Sequence, residues 1–268
     1  MSFKNLKIAD PIVKALVERG FKKPTKIQEQ IIPLVIKRKD IVAITANGTG
    51  KTGSFSIPIA NLIHKIDGNS EEKPVLRVII ISSNQDLAKQ TFSSFGKITK
   101  HTKVKHTLYL NNANKSKGLK AIEDGINVLV TTPPDALNLL ESKKLDPKEV
   151  KILVIDGLDE IFAENVTISK SIFDQLPSSK QTIVFTSKLT DQVDAFCLAQ
   201  LTDPERLEVF AKAERSRNSD RPKRKDNRKD GKNVKNNKNN RKKKGGHNKR
   251  RSTEMSDKLK SKFLWPLE

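Results

Sequence analysis

At 268 residues, 35% hydrophobic and 31% charged, the chain can bury a large core without metals or disulfides, which excludes a small stapled scaffold. Its apolar runs, such as Ile31 to Ile36 and Val78 to Ile81, are far too short for a membrane span, and charges at Lys4, Lys7, Asp10, Lys14, Glu18 and Arg19 interrupt the start of the chain, leaving no secretory signal. The net charge of +21 points towards nucleic acid, and the single cysteine, Cys197, fits a reducing compartment, so a cytoplasmic protein is expected.

The first expected element is a helix opening at Asp10-Pro11, with Asp10 as N-cap and proline at the first helical position, closed by Gly20 in a left-handed cap. Thr25 caps a second helix. Short β-branched runs then alternate with longer stretches of helical period, predicting strands at 41–45, 77–81, 106–110, 127–131, 151–155, 182–185 and 206–210. That alternation is the pattern of an α/β fold with a mostly parallel sheet flanked by helices. No period of 20 to 50 residues recurs, so solenoids and propellers are set aside.

The first strand runs into Thr45-Ala46-Asn47-Gly48-Thr49-Gly50-Lys51-Thr52, which opens a helix. Gly48, Thr49 and Gly50 can wrap backbone N–H groups around phosphate oxygens, and the helix N-terminus adds a favourable dipole. Lys51 can neutralise β and γ charge, and the Thr52 hydroxyl can ligate Mg2+. The strict phosphate-loop pattern asks for glycine where Thr45 stands. His64, His101, His106 and His247 show no metal-ligand spacing and are expected at the surface, and no Gly-x-Ser-x-Gly elbow occurs.

Around this loop the chain resembles the first RecA-like domain of the DEAD-box RNA helicases. Gly20-Phe21-Lys22-Lys23-Pro24-Thr25-Lys26-Ile27-Gln28 is similar to that family's Q motif, preceded by an isolated aromatic, Phe3. The resemblance implies ATP or ADP with Mg2+ as ligands. It implies Gln28 on the adenine edge, Phe21 against the ring, Thr25 supporting the phosphate loop, and Asp156 as the magnesium-supporting carboxylate.

Other motifs depart from the family. Ser83 to Gln90 stands where Pro-Thr-Arg-Glu-Leu-Ala-x-Gln is expected and Thr132-Pro133-Pro134-Asp135 where Thr-Pro-Gly-Arg is expected, so the two RNA-gripping arginines become Gln85 and Asp135. Asp135 would put negative charge where a phosphate sits, and Asn111 and Asn112 replace paired glycines. Asp156-Gly157-Leu158-Asp159 replaces Asp-Glu-Ala-Asp, with Gly157 in place of the catalytic glutamate, and Thr186-Ser187-Lys188 replaces Ser-Ala-Thr. Glu160, three residues beyond Gly157, is expected to face another direction and lie solvated. Hydrolysis is therefore expected to be weak or lost.

Asp203 to Phe210 resembles the end of the first RecA-like domain, and no second one follows, so autonomous unwinding is not expected and a protein partner could cover the open face. From Arg215 to Arg251 there are 18 Lys or Arg against three acids, a local charge of +15, with Val234 the one aliphatic residue. Such a stretch cannot bury enough apolar surface to order itself. The division is thus a RecA-like domain over 1–211, a disordered basic tail over 212–255 and a short apolar segment over 256–268. The tail is the expected RNA contact, through Arg241, Lys242, Lys243, Lys244, Lys249, Arg250 and Arg251. The alternative is an RNA- or ribosome-associated accessory protein with a vestigial nucleotide site.

Overall fold

The β-branched runs of the sequence become seven strands: β1 (Ile41–Thr45), β2 (Val78–Ser82), β3 (His106–Leu108), β4 (Val128–Thr131), β5 (Ile152–Asp156), β6 (Gln181–Thr186) and β7 (Glu205–Val209). In this computed structural model the described residues are 2–209 without Asn47 and Asn69. The segments 212–255 and 256–268, and with them Arg241, Lys242, Lys243, Lys244, Lys249, Arg250 and Arg251, lie outside the described residues.

All strands pair in parallel in one sheet of order β3-β4-β2-β5-β6-β1-β7. Parallel strands need crossovers, and eight helices among the described residues supply them or flank them: α1 (Asp10–Glu18), α2 (Lys26–Ile36), α3 (Lys51–Asp67), α4 (Gln85–Ile98), α5 (Lys115–Asp124), α6 (Pro133–Glu141), α7 (Leu158–Gln175) and α8 (Asp191–Gln200). Period-two alternation divides the core. Ile41, Ala43, Val78, Ile80, Val154 and Phe185 face α1 to α4, whereas Val42, Ile79, Ile81, Leu153, Ile155 and Val184 face α6 to α8.

Expected and observed strand limits differ by a residue at most ends, with one larger change. Strand β3 stops at Leu108 because Asn114 folds back, donating from Nδ2 to the Leu108 carbonyl at 2.7 Å and accepting the Leu110 N–H at 2.8 Å. The first helix is capped by Ala9, not Asp10; the exposed Asp10 carboxylate pairs with Lys4 at 3.2 Å instead. Gly20 does take the left-handed conformation, φ +80°, and Thr25 does cap α2. His106 is a further correction: it is partly buried against the rings of Phe92 and Phe95, and desolvation lowers its pKa.

Two buried polar side chains tie the amino-terminal edge of the sheet. Asp40 accepts the Thr182 N–H at 2.8 Å and the Thr202 N–H at 2.7 Å, while its carbonyl accepts the Glu205 N–H at 2.8 Å, joining the starts of β1, β6 and β7. Asn127 accepts the Lys105 N–H at 3.0 Å and donates to Asp67 at 2.9 Å, a carboxylate that also holds Arg77 through two hydrogen bonds. Removing the Asp40 carboxylate strands two backbone donors. Asp40→Ala should destabilise the domain by about 2–5 kcal/mol, read as a lower urea midpoint at unchanged m-value. Asp40→Asn, which keeps an acceptor, should lose less.

Candidate functional site

The strand ends meet at the carboxyl edge of the sheet, where open parallel sheets place their ligands. After β1 the chain turns through Gly48 at φ +79° and Gly50 at φ +99°, conformations that side chains disfavour. The Thr49 hydroxyl closes the turn by donating to the Ala46 carbonyl at 3.0 Å. Gly50 is the N-cap of α3, so Lys51 and Thr52 begin the helix with their N–H groups among its orphan donors.

Opposite this loop stands Asp156, the last residue of β5. Lys51 Nζ lies 3.9 Å from Asp156 Oδ1, with the two side chains 18% and 7% exposed. Burial pushes the Asp156 pKa up; the Lys51 charge opposes the rise and the charge of Glu160 adds to it.

The amino-terminal segment forms the second wall. Gln28 Oε1 accepts the Thr25 N–H at 3.0 Å, and Gln28 Nε2 donates to the Gly50 carbonyl at 3.4 Å. A Cβ on Gly50 would sit 3.0 Å from Thr25 Oγ1, and one on Gly53 would sit 2.5 Å from Gln28 Nε2. Thr25 and Gln28 thus pack directly on the loop and need both glycines. Phe21 is 47% exposed with the Arg19 guanidinium 5.0 Å from its ring, which makes it an available aromatic surface and not a core residue.

Phe21, Thr25, Gln28, Gly48, Thr49, Gly50, Lys51, Thr52 and Asp156, separated by as many as 135 positions in the chain, line one cleft of about 630 Å³. Glu160, which the sequence reading sets aside, is among the other residues of the cleft. It lines the same cleft as Gly157 and accepts a hydrogen bond from the Ser83 hydroxyl at 2.5 Å. The expectation that it faces elsewhere is corrected. Gly157 is a left-handed N-cap, φ +95°, and Glu160 is the third residue of α7, a position whose side chain folds back towards the cap.

One neighbouring expectation also changes. The Asp135 carboxylate is buried and turned inward, accepting from the Thr132 hydroxyl at 2.8 Å and the Asn111 N–H at 3.3 Å, so its charge is spent on the fold and not presented to a ligand. Ser187 donates to Asp159 through its hydroxyl and through its N–H at 3.1 Å, linking the turn after β6 to α7. Burial raises the Asp159 pKa, but these bonds and one from Thr186 outweigh it and leave the carboxyl below its usual range.

The sequence-family model described as DEAD/DEAH box helicase matches residues 25–196. Among curated relatives, an ATP-dependent RNA helicase CshA of Limosilactobacillus reuteri is 29% identical over 79% of this chain and 42% of its own length. An ATP-dependent RNA helicase DbpA of Bacillus subtilis is 30% identical over 81% of this chain and 44% of its own. The chain thus spans under half the length of these relatives. A solved DEAD box protein of Methanococcus jannaschii superposes with a TM-score of 0.71 at 25% identity, covering 78% of this chain and 56% of that one, which identifies the sheet as RecA-like. Among the described residues no helix is long and apolar enough to cross a membrane. The family match runs from the threonine that caps α2 into α8, taking in the phosphate loop and both β5 and β6, and on it the chain belongs to the DEAD/DEAH box helicase family.

Proposed function

We propose that the cleft binds ATP or ADP with Mg2+ and that the basic segment 212–255 attaches the protein to RNA. The observation that carries this reading is the convergence of nine residues from distant segments on one cleft. In it, residues 1–211 are the nucleotide-binding domain, 212–255 the RNA-binding tail and 256–268 a separate apolar segment. The single cysteine supports a cytoplasmic setting.

The side chains divide the work. Phe21 offers its exposed face to the adenine ring. Gln28 has a second amide hydrogen and a second lone pair beyond those used on Gly50 and Thr25, so it can meet the adenine edge without releasing the loop. The N–H groups from Gly48 to Thr52 and the Lys51 ammonium take the phosphates. No group of three or more His, Cys, Asp or Glu able to hold a metal occurs among the described residues. Mg2+ is commonly bound by one or two carboxylates together with substrate phosphates, so the hard donors Thr52 and Asp156 fit it. Bound there, it would neutralise phosphate charge.

RNA attachment rests on the charge of the tail, and the curated relatives' designation as RNA helicases supports RNA as the polymer. Without aromatic residues between Arg215 and Arg251, tail binding should tolerate many sequences and depend steeply on salt.

Titration with a fluorescent adenine nucleotide and Mg2+ tests the cleft. Lys51→Ala and Gln28→Ala should each weaken binding, the second by about tenfold for one lost hydrogen bond. Gly53→Ala is the sharper variant. Its new methyl displaces only the end of the flexible Gln28 side chain, so nucleotide affinity should fall as in Gln28→Ala with a thermal midpoint no lower than in that variant. If the wild type binds nothing, the site is vestigial and the accessory-protein reading takes its place.

Deletion of 212–255 tests the tail. If six to ten phosphates are neutralised, the full chain should lose about 10³–10⁵ in RNA affinity between 50 and 200 mM salt. The deleted chain should bind weakly with a shallow salt slope. Equal slopes would exclude the tail as the RNA contact.

A further inference from the structure

Gly157 leaves the end of β5 without a side chain, and Ser83 and Glu160 pack close to where one would begin. A Cβ built there would lie 3.0 Å from Ser83 Oγ and 3.4 Å from Glu160 Oε2. Ser83 is buried just beyond β2, with its N–H donating to the Asp156 carbonyl at 3.0 Å. Its hydroxyl donates to Glu160 Oε2 at 2.5 Å and accepts from Asn84 Nδ2 at 3.4 Å, while Asn84 Oδ1 caps α4 through the Leu87 N–H at 3.0 Å. Glu160 is therefore oriented by a chain of hydrogen bonds rooted in the end of β2 and the start of α4. Oε1 has no hydrogen-bond partner among the described residues, and the side chain lines the cleft with Lys51, Thr52 and Asp156.

Among the described residues Asp156 and Glu160 are the two carboxylates on that cleft, and their environments differ. Asp156 is buried beside Lys51, whereas Glu160 is exposed and held by one oxygen. A carboxylate so held, open to water and next to a phosphate-binding loop, is the arrangement that phosphoryl transfer to water needs for its proton acceptor. We propose that Glu160 is a catalytic residue, the base that activates water in a residual ATP hydrolysis at this cleft, with Ser83 as its positioning residue; this rests on the nucleotide reading above. Glu160 Oε1 takes a proton from water, the water oxygen bonds to the γ-phosphorus, and the bond from that phosphorus to the β–γ bridging oxygen breaks. The bridging oxygen keeps the electron pair. The products are ADP and inorganic phosphate, and the proton on Glu160 passes to solvent.

The test uses the full chain with ATP, Mg2+ and RNA and compares wild type, Glu160→Gln, Ser83→Ala and Lys51→Ala. Glutamine keeps an acceptor for Ser83 and the same place on α7 but cannot take the proton. Phosphate release by Glu160→Gln should fall by about 10²-fold or more, with ATP affinity within threefold of wild type. Binding of ADP with Mg2+ and aluminium fluoride, a mimic of the transferring phosphoryl group, should weaken in the same variant. Ser83→Ala should lose rate with little loss of ATP affinity. A wild type that binds ATP but releases phosphate no faster than Lys51→Ala, or a Glu160→Gln variant as fast as wild type, overturns the role of Glu160 alone. A wild type that binds no ATP removes the nucleotide reading and this one together.

Discussion

Two opposite charges removed from water at one edge of the sheet, Lys51 and Asp156, set the form of everything around them. They stand 3.9 Å apart, too far for a hydrogen bond, with most of both side chains buried. Lys51 follows the loop after β1 and Asp156 ends β5, and β6 lies between those strands. With adjacent strands about 4.8 Å apart, the ends of β1 and β5 are separated by about 10 Å, and the two side chains approach each other across that span. Burial raises the Asp156 pKa, so folding is favoured less once pH rises from the ordinary carboxylate value through the raised one. Ionising this carboxylate in the folded chain works against stability, the sign expected of a group placed to meet a ligand.

The same edge explains why the amino-terminal segment and the phosphate loop behave as one unit. Gly50 and Gly53 expose bare backbone, and Thr25 and Gln28 occupy the volume that side chains there would fill. Gln28 serves twice, closing the capping box of α2 and donating to the Gly50 carbonyl. The conformation of the loop and the start of α2 are therefore coupled through a single amide group. An adenine base engaging that amide would act on the loop that holds its own phosphates.

Much of the fold was legible in the sequence because parallel strands buried on both faces leave short, β-branched continuous runs such as Val78 to Ile81, whereas the comparable run Ile31 to Ile36 carries Pro33 and belongs to the longer helical stretch of α2. The phosphate loop was legible because glycine spacing is a local property. What stayed hidden is long-range or depends on a side chain's direction. Asp40 and Asn127 carry no pattern, since their partners lie as far as 162 residues away. Asp135 reads as an exposed charge until Asn111 and Thr132 are seen to hold it inward. Asp10 has the composition of an N-cap, yet Pro11 takes the second helical position and shifts the cap to Ala9.

Glu160 was misread for a reason of geometry. Reckoning its direction from Gly157 by helical period assumes that both belong to the helix, but Gly157 is left-handed and stands outside it. The first regular residue is Leu158, and the third helical position turns back over the cap. Ser83, Gly157 and Glu160 then form a single packing arrangement. A side chain at 157 would have to adopt a strained left-handed backbone and press the Ser83 hydroxyl aside. The second carboxylate on the cleft comes instead from the first turn of α7, and the serine that crowds position 157 is the same group that orients Glu160.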